Sequence, residues 1–276
     1  MTFTAVDCAR PDAPARFRDA LAATGCALLL AHPLEAGVVE RVYEEWLAFF
    51  DTDAKHRYDA GPDRPDGYFP PPPESGGFTG DRKEFFHVYP RGRYPAEVSG
   101  TARHYLRDAL EFARTLLGWL DREKPTHGAT ATVLRVQRYL PARDGEPADA
   151  TRALAHTDIN LLTLMPAPSA PGLQIRHDGG WRDVLAPPGS LLVQAGEMLQ
   201  LASRGRFPAA LHRVVHRTGP AARTSRMSLP LFVHPADDTE LVPGRTAGAF
   251  RAERLAEMSA RGWKAVAGGP RQREAA

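Results

Sequence analysis

Two side chains that bind metals well stand two residues apart in the stretch "LAHTDINLLTL", residues 154–164. If this stretch is a strand, His156 and Asp158 project from one face, because successive side chains on a strand alternate. Both groups are costly to bury unless something pairs with them. An imidazole and a carboxylate that converge on one point suit a divalent first-row metal, and we expect a histidine of a neighbouring strand to supply a third ligand.

The third ligand has two candidates, His212 and His216, in the later stretch "ALHRVVHR". Both lie on one face of the predicted strand, but the four-residue separation places them about 13 Å apart, so only one can meet Asp158. Two histidines and one carboxylate on one face of an octahedron leave the other face open. That arrangement is typical of non-heme Fe(II) oxygenases.

A further pair predicts what occupies the open positions. In "SRMSLPLF", Arg226 and Ser228 share a strand face, 14 residues beyond His212. A guanidinium beside a hydroxyl forms a good receptor for a carboxylate. A metal with open positions and a carboxylate clamp one strand away predict a site for a short chelating acid.

These motifs resemble, in order and spacing, the isopenicillin N synthase-like branch of the 2-oxoglutarate/Fe(II)-dependent oxygenases. The segments are "HTDINLLTLM", "GLQIRHDGGWRDVLAPPGSLLVQAGEMLQLASRGRFPAALHRVVH" and "RMSLPLFVHP", preceded by "GCALLL", "GYF" and "DRKEFF". The resemblance covers most of residues 15–265. It implies iron ligands at His156, Asp158 and His212, which makes His216 a solvated residue or one beside the site.

The resemblance also implies contacts for the co-substrate and the substrate. Arg226 and Ser228 would hold the far carboxylate of 2-oxoglutarate. Tyr139 fits the tyrosine of the family's Asn-x-Tyr pair, whereas Gln137 replaces its asparagine. The substrate contacts that we expect are Tyr68, His87, Arg91, Asn160 and Phe232.

The activity that the resemblance implies is that of a dioxygenase with Fe(II), 2-oxoglutarate and O2 as cofactor and co-substrates. Such an enzyme oxidises a C–H bond of a small-molecule metabolite, usually by hydroxylation, and releases succinate and CO2; a role in secondary metabolism is expected. Two alternatives stay open: an Fe(II) oxidase or cyclase of the same fold that uses O2 without 2-oxoglutarate, and a non-catalytic β-barrel binding protein. Asp158 argues against a halogenase, since related halogenases have a small residue there. The basic residues around Arg91 are compatible with an amino acid or another small anionic metabolite as substrate.

The spacing of apolar residues, which predicts the elements that position these side chains, changes along the chain. Up to about residue 125, helical spacing predicts helices near 11–25, 33–50 and 95–122, with a Pro- and Gly-rich flap loop at 61–80. From 130 to 235, seven short strand candidates separated by Gly and Pro turns predict a jelly roll. A helix at 246–263 follows. The fold expected is one domain over 1–276, mainly β with flanking helices, with a double-stranded β-helix (jelly-roll, cupin-like) core.

Composition excludes several classes of function. The 276 residues are 43% hydrophobic and 25% charged, as in an ordinary globular protein, and the interspersed charges sum to +2. No basic patch predicts a nucleic-acid partner, and no apolar run predicts a membrane span or a signal peptide. The two cysteines form no disulfide framework, so we expect a cytoplasmic protein.

Overall fold

The structure is a computed structural model that describes residues 5–61, 64–71, 82–120, 132–147, 150–216 and 220–260. Most of the predicted flap loop, at 62–63 and 72–80, lies outside the described residues. So do the last three positions of the predicted C-terminal helix.

The described residues form the following elements. The α-helices are α1 Ala13–Thr24, α2 Val38–Phe50, α3 Thr101–Leu120, α4 Glu197–Ala202 and α5 Ala247–Ala260, with short 3-10 helices at Asp53–Tyr58 and Pro220–Arg223. The strands are β1 Ala5–Asp7, β2 Cys26–Leu30, β3 Gly67–Phe69, β4 Lys83–Val88, β5 Val133–Tyr139, β6 Thr151–His156, β7 Leu162–Pro166, β8 Leu173–His177, β9 Gly180–Asp183, β10 Leu191–Ala195, β11 His212–Val215, β12 Arg226–Ser228, β13 Leu231–Val233, β14 Glu240–Val242 and β15 Arg245–Thr246.

Two sheets make the core. The larger has the order β1-β2-β10-β7-β13-β5-β4-β3, with β12 also paired to β5, and the smaller has the order β6-β11-β8-β9. The sheets pack face to face, since Tyr139 and Met165 of the larger share one buried cluster with Leu173 and Val214 of the smaller. This arrangement confirms the predicted jelly roll.

Strand β5 shows how the sheet divides apolar from functional side chains. Leu134 and Val136 are fully buried in the cluster that α2 and α3 form against the outer face of the larger sheet. The alternate residues, Arg135, Gln137 and Tyr139, face the other sheet and line a pocket. The period of two therefore places the core on one side of the strand and chemistry on the other.

Several element boundaries differ from the prediction for local reasons. Helix α2 begins at Val38 rather than near residue 33, because Gly37 at its N-cap has a left-handed φ of 78°. The predicted strand "RMSLPLFVH" is two strands, β12 and β13, which Pro230 separates because proline has no N–H for the ladder. Among the described helices, none is long and apolar enough to cross a membrane.

Candidate active site

Two histidines on neighbouring, hydrogen-bonded strands form one part of the site. His156 is the last residue of β6 and lies opposite His212, the first residue of β11, so their ring centroids are 4.3 Å apart. One ligand atom from each, and one from Asp158, lie within 4.8 Å of one another. Within the described part of the chain, this is the group of three metal-binding side chains that the fold brings together.

Asp158 reaches this cluster by a different route from the one predicted. Strand β6 ends at His156, and Asp158 lies in the segment that follows, so the two do not share a strand face. The backbone carbonyl of Asp158 accepts a hydrogen bond of 2.8 Å from the N–H of Glu197. The Glu197 carboxylate accepts one of 2.5 Å from the Thr157 hydroxyl and pairs with Arg254 at 2.6 Å. Glu197 thus anchors the segment that presents Asp158.

A glycine allows this segment to lie against the turn before α4. A Cβ atom at Gly196 would stand 2.2 Å from the backbone oxygen of Asn160. That separation is far inside van der Waals contact, so any larger residue must displace the Asp158 segment.

Hydrogen bonds to the backbone orient both imidazoles. Nδ1 of His156 lies 2.7 Å from the carbonyl oxygen of Leu154, and Nδ1 of His212 lies 2.9 Å from that of Ala210. Because a carbonyl can only accept, each Nδ1 carries the proton, and each Nε2 presents a lone pair. Burial, together with the neighbouring His212, lowers the pKa of His156 to about 4. The ring is therefore neutral at ordinary pH, as metal binding requires.

The carboxylate of Asp158 is held in its charged form. Burial alone would raise its pKa, but His212, His156 and the Thr163 hydroxyl together lower it below its ordinary value. The Thr163 hydroxyl donates a 2.5 Å hydrogen bond to Oδ2, while Oδ1 lies 3.8 Å from Nε2 of His156. The Thr163 hydroxyl in turn accepts a 2.9 Å hydrogen bond from the Asn160 amide. Asn160 therefore acts behind Asp158 and does not line the pocket as predicted.

Of the two residues predicted to bind a carboxylate, Arg226 lines the far end of the pocket and Ser228 does not line it. Arg226 pairs with Tyr139 across β12 and β5, and its guanidinium carbon lies 5.0 Å from the centroid of the Tyr139 ring. Its Nε donates to the carbonyl of Ala170 at 2.9 Å. The amide of Gln137 donates to the hydroxyls of Tyr139 and Ser228, at 3.1 and 2.7 Å. Ser228 is fully buried behind Gln137 and does not itself line the pocket.

Two polar atoms at this end have no partner within the described part of the chain: Nη2 of Arg226 and Oε1 of Gln137. Unsatisfied buried polar atoms are costly, so a ligand that pairs with them is expected. A carboxylate suits the guanidinium. The triad at the other end offers two neutral imidazoles and one carboxylate, the donor set of non-heme Fe(II) sites. The residues present therefore fit both Fe(II) and a co-substrate with a distant carboxylate.

The rival ligand and two expected substrate contacts lie elsewhere. His216 accepts a 2.9 Å hydrogen bond from Nε of Arg152 and is not part of the triad. Tyr68 is 1% exposed and faces the helices, where its hydroxyl donates to the carboxylate of Glu84 at 2.6 Å. Arg91 is exposed in the turn after β4 and does not line the pocket. The prediction failed for Tyr68 and Arg91 because it did not resolve which face of β3 and which end of β4 meet the site.

Sequence reasoning also missed residues that do line the pocket, chiefly Lys83, Arg135, Thr163 and Gln194. Arg135 was readable in principle, since it stands two residues before Gln137 on the same strand face. Of the other expected contacts, Phe232 lines the pocket, and His87 is a buried neighbour of Arg135.

Comparisons with known proteins agree with this geometry. Residues 131–235, which contain all three triad residues and the clamp, match the sequence profile of the 2OG-Fe(II) oxygenase superfamily. A flavonol synthase/flavanone 3-hydroxylase of Eustoma exaltatum subsp. russellianum is 35% identical over 111 residues, which are 40% of this chain. The aligned part spans 31% of that relative's length.

Solved structures extend the likeness to nearly the whole chain. A Shewanella oneidensis protein assigned as an oxygenase is 36% identical with a TM-score of 0.84, covering 94% of this chain and 99% of its own. A full-length Neurospora crassa protein, solved in complex with alpha-KG and thymine, shares the fold at 19% identity, with a TM-score of 0.80 and coverage of 92% and 96%.

Proposed function

Because the chain belongs to the 2OG-Fe(II) oxygenase superfamily, we propose that it is an Fe(II)- and 2-oxoglutarate-dependent dioxygenase. It oxidises a C–H bond of a small molecule, with hydroxylation as the expected outcome and succinate and CO2 as co-products. The observation that carries the proposal is one pocket with the triad His156, Asp158 and His212 at one end and the buried Arg226 at the other.

The residues divide the work between holding the metal and orienting the co-substrate. His156, Asp158 and His212 would hold Fe(II), and bound Fe(II) with 2-oxoglutarate supplies the activation of O2 that oxidation of a C–H bond requires. Arg226 would pair with the far carboxylate of 2-oxoglutarate through the Nη2 group that lacks a partner within the described residues. Gln137 and Tyr139 form the polar wall beside it. The apolar side chains around them, such as Met165 and Leu173, limit the access of water.

The substrate class we propose is a small molecule with an anionic group, such as an amino acid or another metabolite acid. Among the described residues that line the pocket, Lys83, Arg135 and Arg226 are cationic and Asp158 is the carboxylate. Relatives named for flavanone and crystallised with thymine also point to small organic substrates. A role in secondary metabolism belongs to the same proposal. We also propose a cytoplasmic location, which the two free cysteines support.

Anaerobic reconstitution with Fe(II), followed by addition of 2-oxoglutarate, tests the proposed activity. We expect a weak visible charge-transfer band that appears with the keto acid and weakens in the Arg226→Ala variant. Succinate release in air should follow the band. Tight iron binding without a band would favour the same-fold oxidase that needs no 2-oxoglutarate, and failure to bind iron would contradict the enzyme altogether.

A further inference from the structure

The helix α5 is tied by a two-pronged ion pair to the turn that holds the Asp158 segment. Nε of Arg254 donates a 2.6 Å hydrogen bond to Oε2 of Glu197, and Nη2 donates one of 2.9 Å to Oε1. A guanidinium that donates to both oxygens fixes the plane of a carboxylate, which a single contact does not. Nη1 of Arg254 donates to Glu257 on the same helix, so the guanidinium is itself held in place.

Glu197 connects Arg254 to the residues of the triad. Its Oε1, which accepts the bond from Nη2, also accepts a 2.5 Å hydrogen bond from the Thr157 hydroxyl. Thr157 stands between His156 and Asp158 in the chain. A Glu197 carboxylate with a fixed orientation therefore restrains the residue that separates these two ligands.

The side chain of Glu197 adds to what the backbone of the same turn does. Three successive N–H groups at 196–198 donate to carbonyl groups at 158–161, at distances between 2.8 and 3.2 Å. These bonds hold the backbone of the Asp158 segment but do not reach the Thr157 hydroxyl. Without Arg254, Glu197 would be a largely buried charge that lacks its counter-ion, so its carboxylate would turn toward water and release that hydroxyl.

The ion pair is equally important for α5, because the buried side chains of this helix lie near its start. Ala247 and Phe250 are buried, whereas none of the described side chains at 252–258 is fully buried. The second half of α5 therefore has little apolar burial to hold it against the domain, and its attachment depends on the bond between Arg254 and Glu197.

We propose that Arg254 is a positioning residue for the metal centre, and that it couples the docking of α5 to the binding of Fe(II). A docked α5 orients Glu197, and Glu197 holds the Asp158 segment in the geometry that binds the metal. Coupling between two equilibria is reciprocal, so bound Fe(II) stabilises the docked helix by the same factor by which the docked helix tightens Fe(II) binding. The proposal rests on the proposed dioxygenase function, in which the triad holds Fe(II).

Anaerobic titration of the full-length, metal-free protein with Fe(II) gives the first test. Arg254→Gln should weaken binding by about five- to ten-fold, less than the 10- to 100-fold typical of a group in direct contact with a ligand. Arg254→Lys should recover part of the affinity, because an ammonium keeps the charge but lacks the bidentate fork. In a Glu197→Gln background, Arg254→Gln should cause no further loss, since Arg254 acts through Glu197.

A matched control lies one turn earlier on the same helix. Arg251 is more deeply buried than Arg254 and pairs at 2.6 Å with Asp237, which lies outside the Asp158 segment. Arg251→Gln should therefore destabilise the protein toward urea but leave its Fe(II) affinity unchanged. If Arg254 only stabilised the fold, the two substitutions would act alike.

Hydrogen exchange of the backbone amides at 252–258 tests the reciprocal effect. Saturating Fe(II) should slow this exchange by about five- to ten-fold in the unaltered protein and in Arg251→Gln, and should leave it unchanged in Arg254→Gln. An Arg254→Gln protein with unaltered Fe(II) affinity, an equal loss of affinity in Arg251→Gln, or exchange that does not respond to Fe(II) in the unaltered protein would overturn the proposal. Fe(II) binding that depends on Arg254, but gives no visible band with 2-oxoglutarate, would support the proposal and overturn the dioxygenase function instead.

Discussion

The hydrogen bond from Thr163 to Asp158 should decide how well the triad binds its metal, and Thr163→Val removes it with little change of shape. Thr163 is buried, and its hydroxyl donates a 2.5 Å hydrogen bond to Oδ2 of Asp158. The other carboxylate oxygen, Oδ1, then lies on the side of His156. The hydrogen bond is present in the metal-free protein, so its energy is not gained when the metal binds. Its removal therefore weakens metal binding only because the carboxylate is less well oriented. Removal of such a supporting partner lowers metal affinity by about 10- to 100-fold.

The same substitution should also destabilise the metal-free protein. The Asn160 amide loses the hydroxyl that accepts its 2.9 Å hydrogen bond, which costs about 1 kcal/mol. The lost hydrogen bond to the charged Asp158 carboxylate contributes about 1.5–3 kcal/mol. These contributions are not additive in one network, so a total of about 2–3 kcal/mol is expected.

Titration of the metal-free protein with Fe(II) under anaerobic conditions measures the affinity, and urea denaturation measures the stability. Thr163→Ser retains the hydroxyl and should keep the affinity within a few-fold of the original. A Thr163→Val protein that binds Fe(II) as tightly as the original would refute the view that this bond orients Asp158.

Three other outcomes follow from the contacts described. Gly196→Ala should lower Fe(II) affinity by at least about ten-fold and destabilise the fold by about 1–3 kcal/mol, since its Cβ would meet a backbone oxygen of the Asp158 segment at 2.2 Å. Gly118→Ala, in an open position on α3, should instead stabilise by up to about 1 kcal/mol; similar denaturation midpoints for the two variants would contradict this account. Tyr68→Phe should lower stability by about 1–3 kcal/mol in denaturation while the rate of 2-oxoglutarate turnover stays within two-fold, and a large loss of turnover would place Tyr68 at the site after all. Burial lowers the pKa of His156 and of His234 from 6.5 to about 4 in the folded, metal-free protein. Between these values the unfolded chain binds protons that the folded protein does not, so the stability of the fold should decrease as the pH drops from about 6.5 to about 4. Each histidine should contribute a loss of up to about 1.4 kcal/mol per pH unit. Urea denaturation across that range should give a shallower slope for His234→Gln, and an unchanged slope would contradict the assignment.

The positions of the three triad residues and of Arg226 could be predicted because the motifs that contain them are short and follow one another in a fixed order along the chain. His156 and Asp158 are near neighbours, and the motifs around His212 and Arg226 follow in an order typical of one fold. The jelly roll itself follows from short strands separated by Gly and Pro turns. The shared strand face predicted for His156 and Asp158 was wrong, however: β6 ends at His156, and the carboxylate reaches the metal site because Glu197 anchors the next segment.

The substrate side of the pocket could not be predicted in the same way, because it depends on which strands become neighbours. Arg135 acquires its environment from Phe85 on β4 and Phe232 on β13, residues that are 50 and 97 positions away in the sequence. Periodicity alone does not give the register that pairs β4 with β5. The same lack of information on strand register explains why Tyr68 was expected at the site, whereas its side chain points from β3 toward the helices.

The most direct test of the central claim is a crystal structure of the protein soaked anaerobically with Fe(II) and 2-oxoglutarate, with anomalous data collected at the iron edge. We predict one iron peak bound by Nε2 of His156, Nε2 of His212 and the carboxylate of Asp158, with the far carboxylate of 2-oxoglutarate on Arg226. An iron peak at His216 or His234, or a keto acid whose far carboxylate lies on Arg135 with Arg226 unoccupied, would contradict the account.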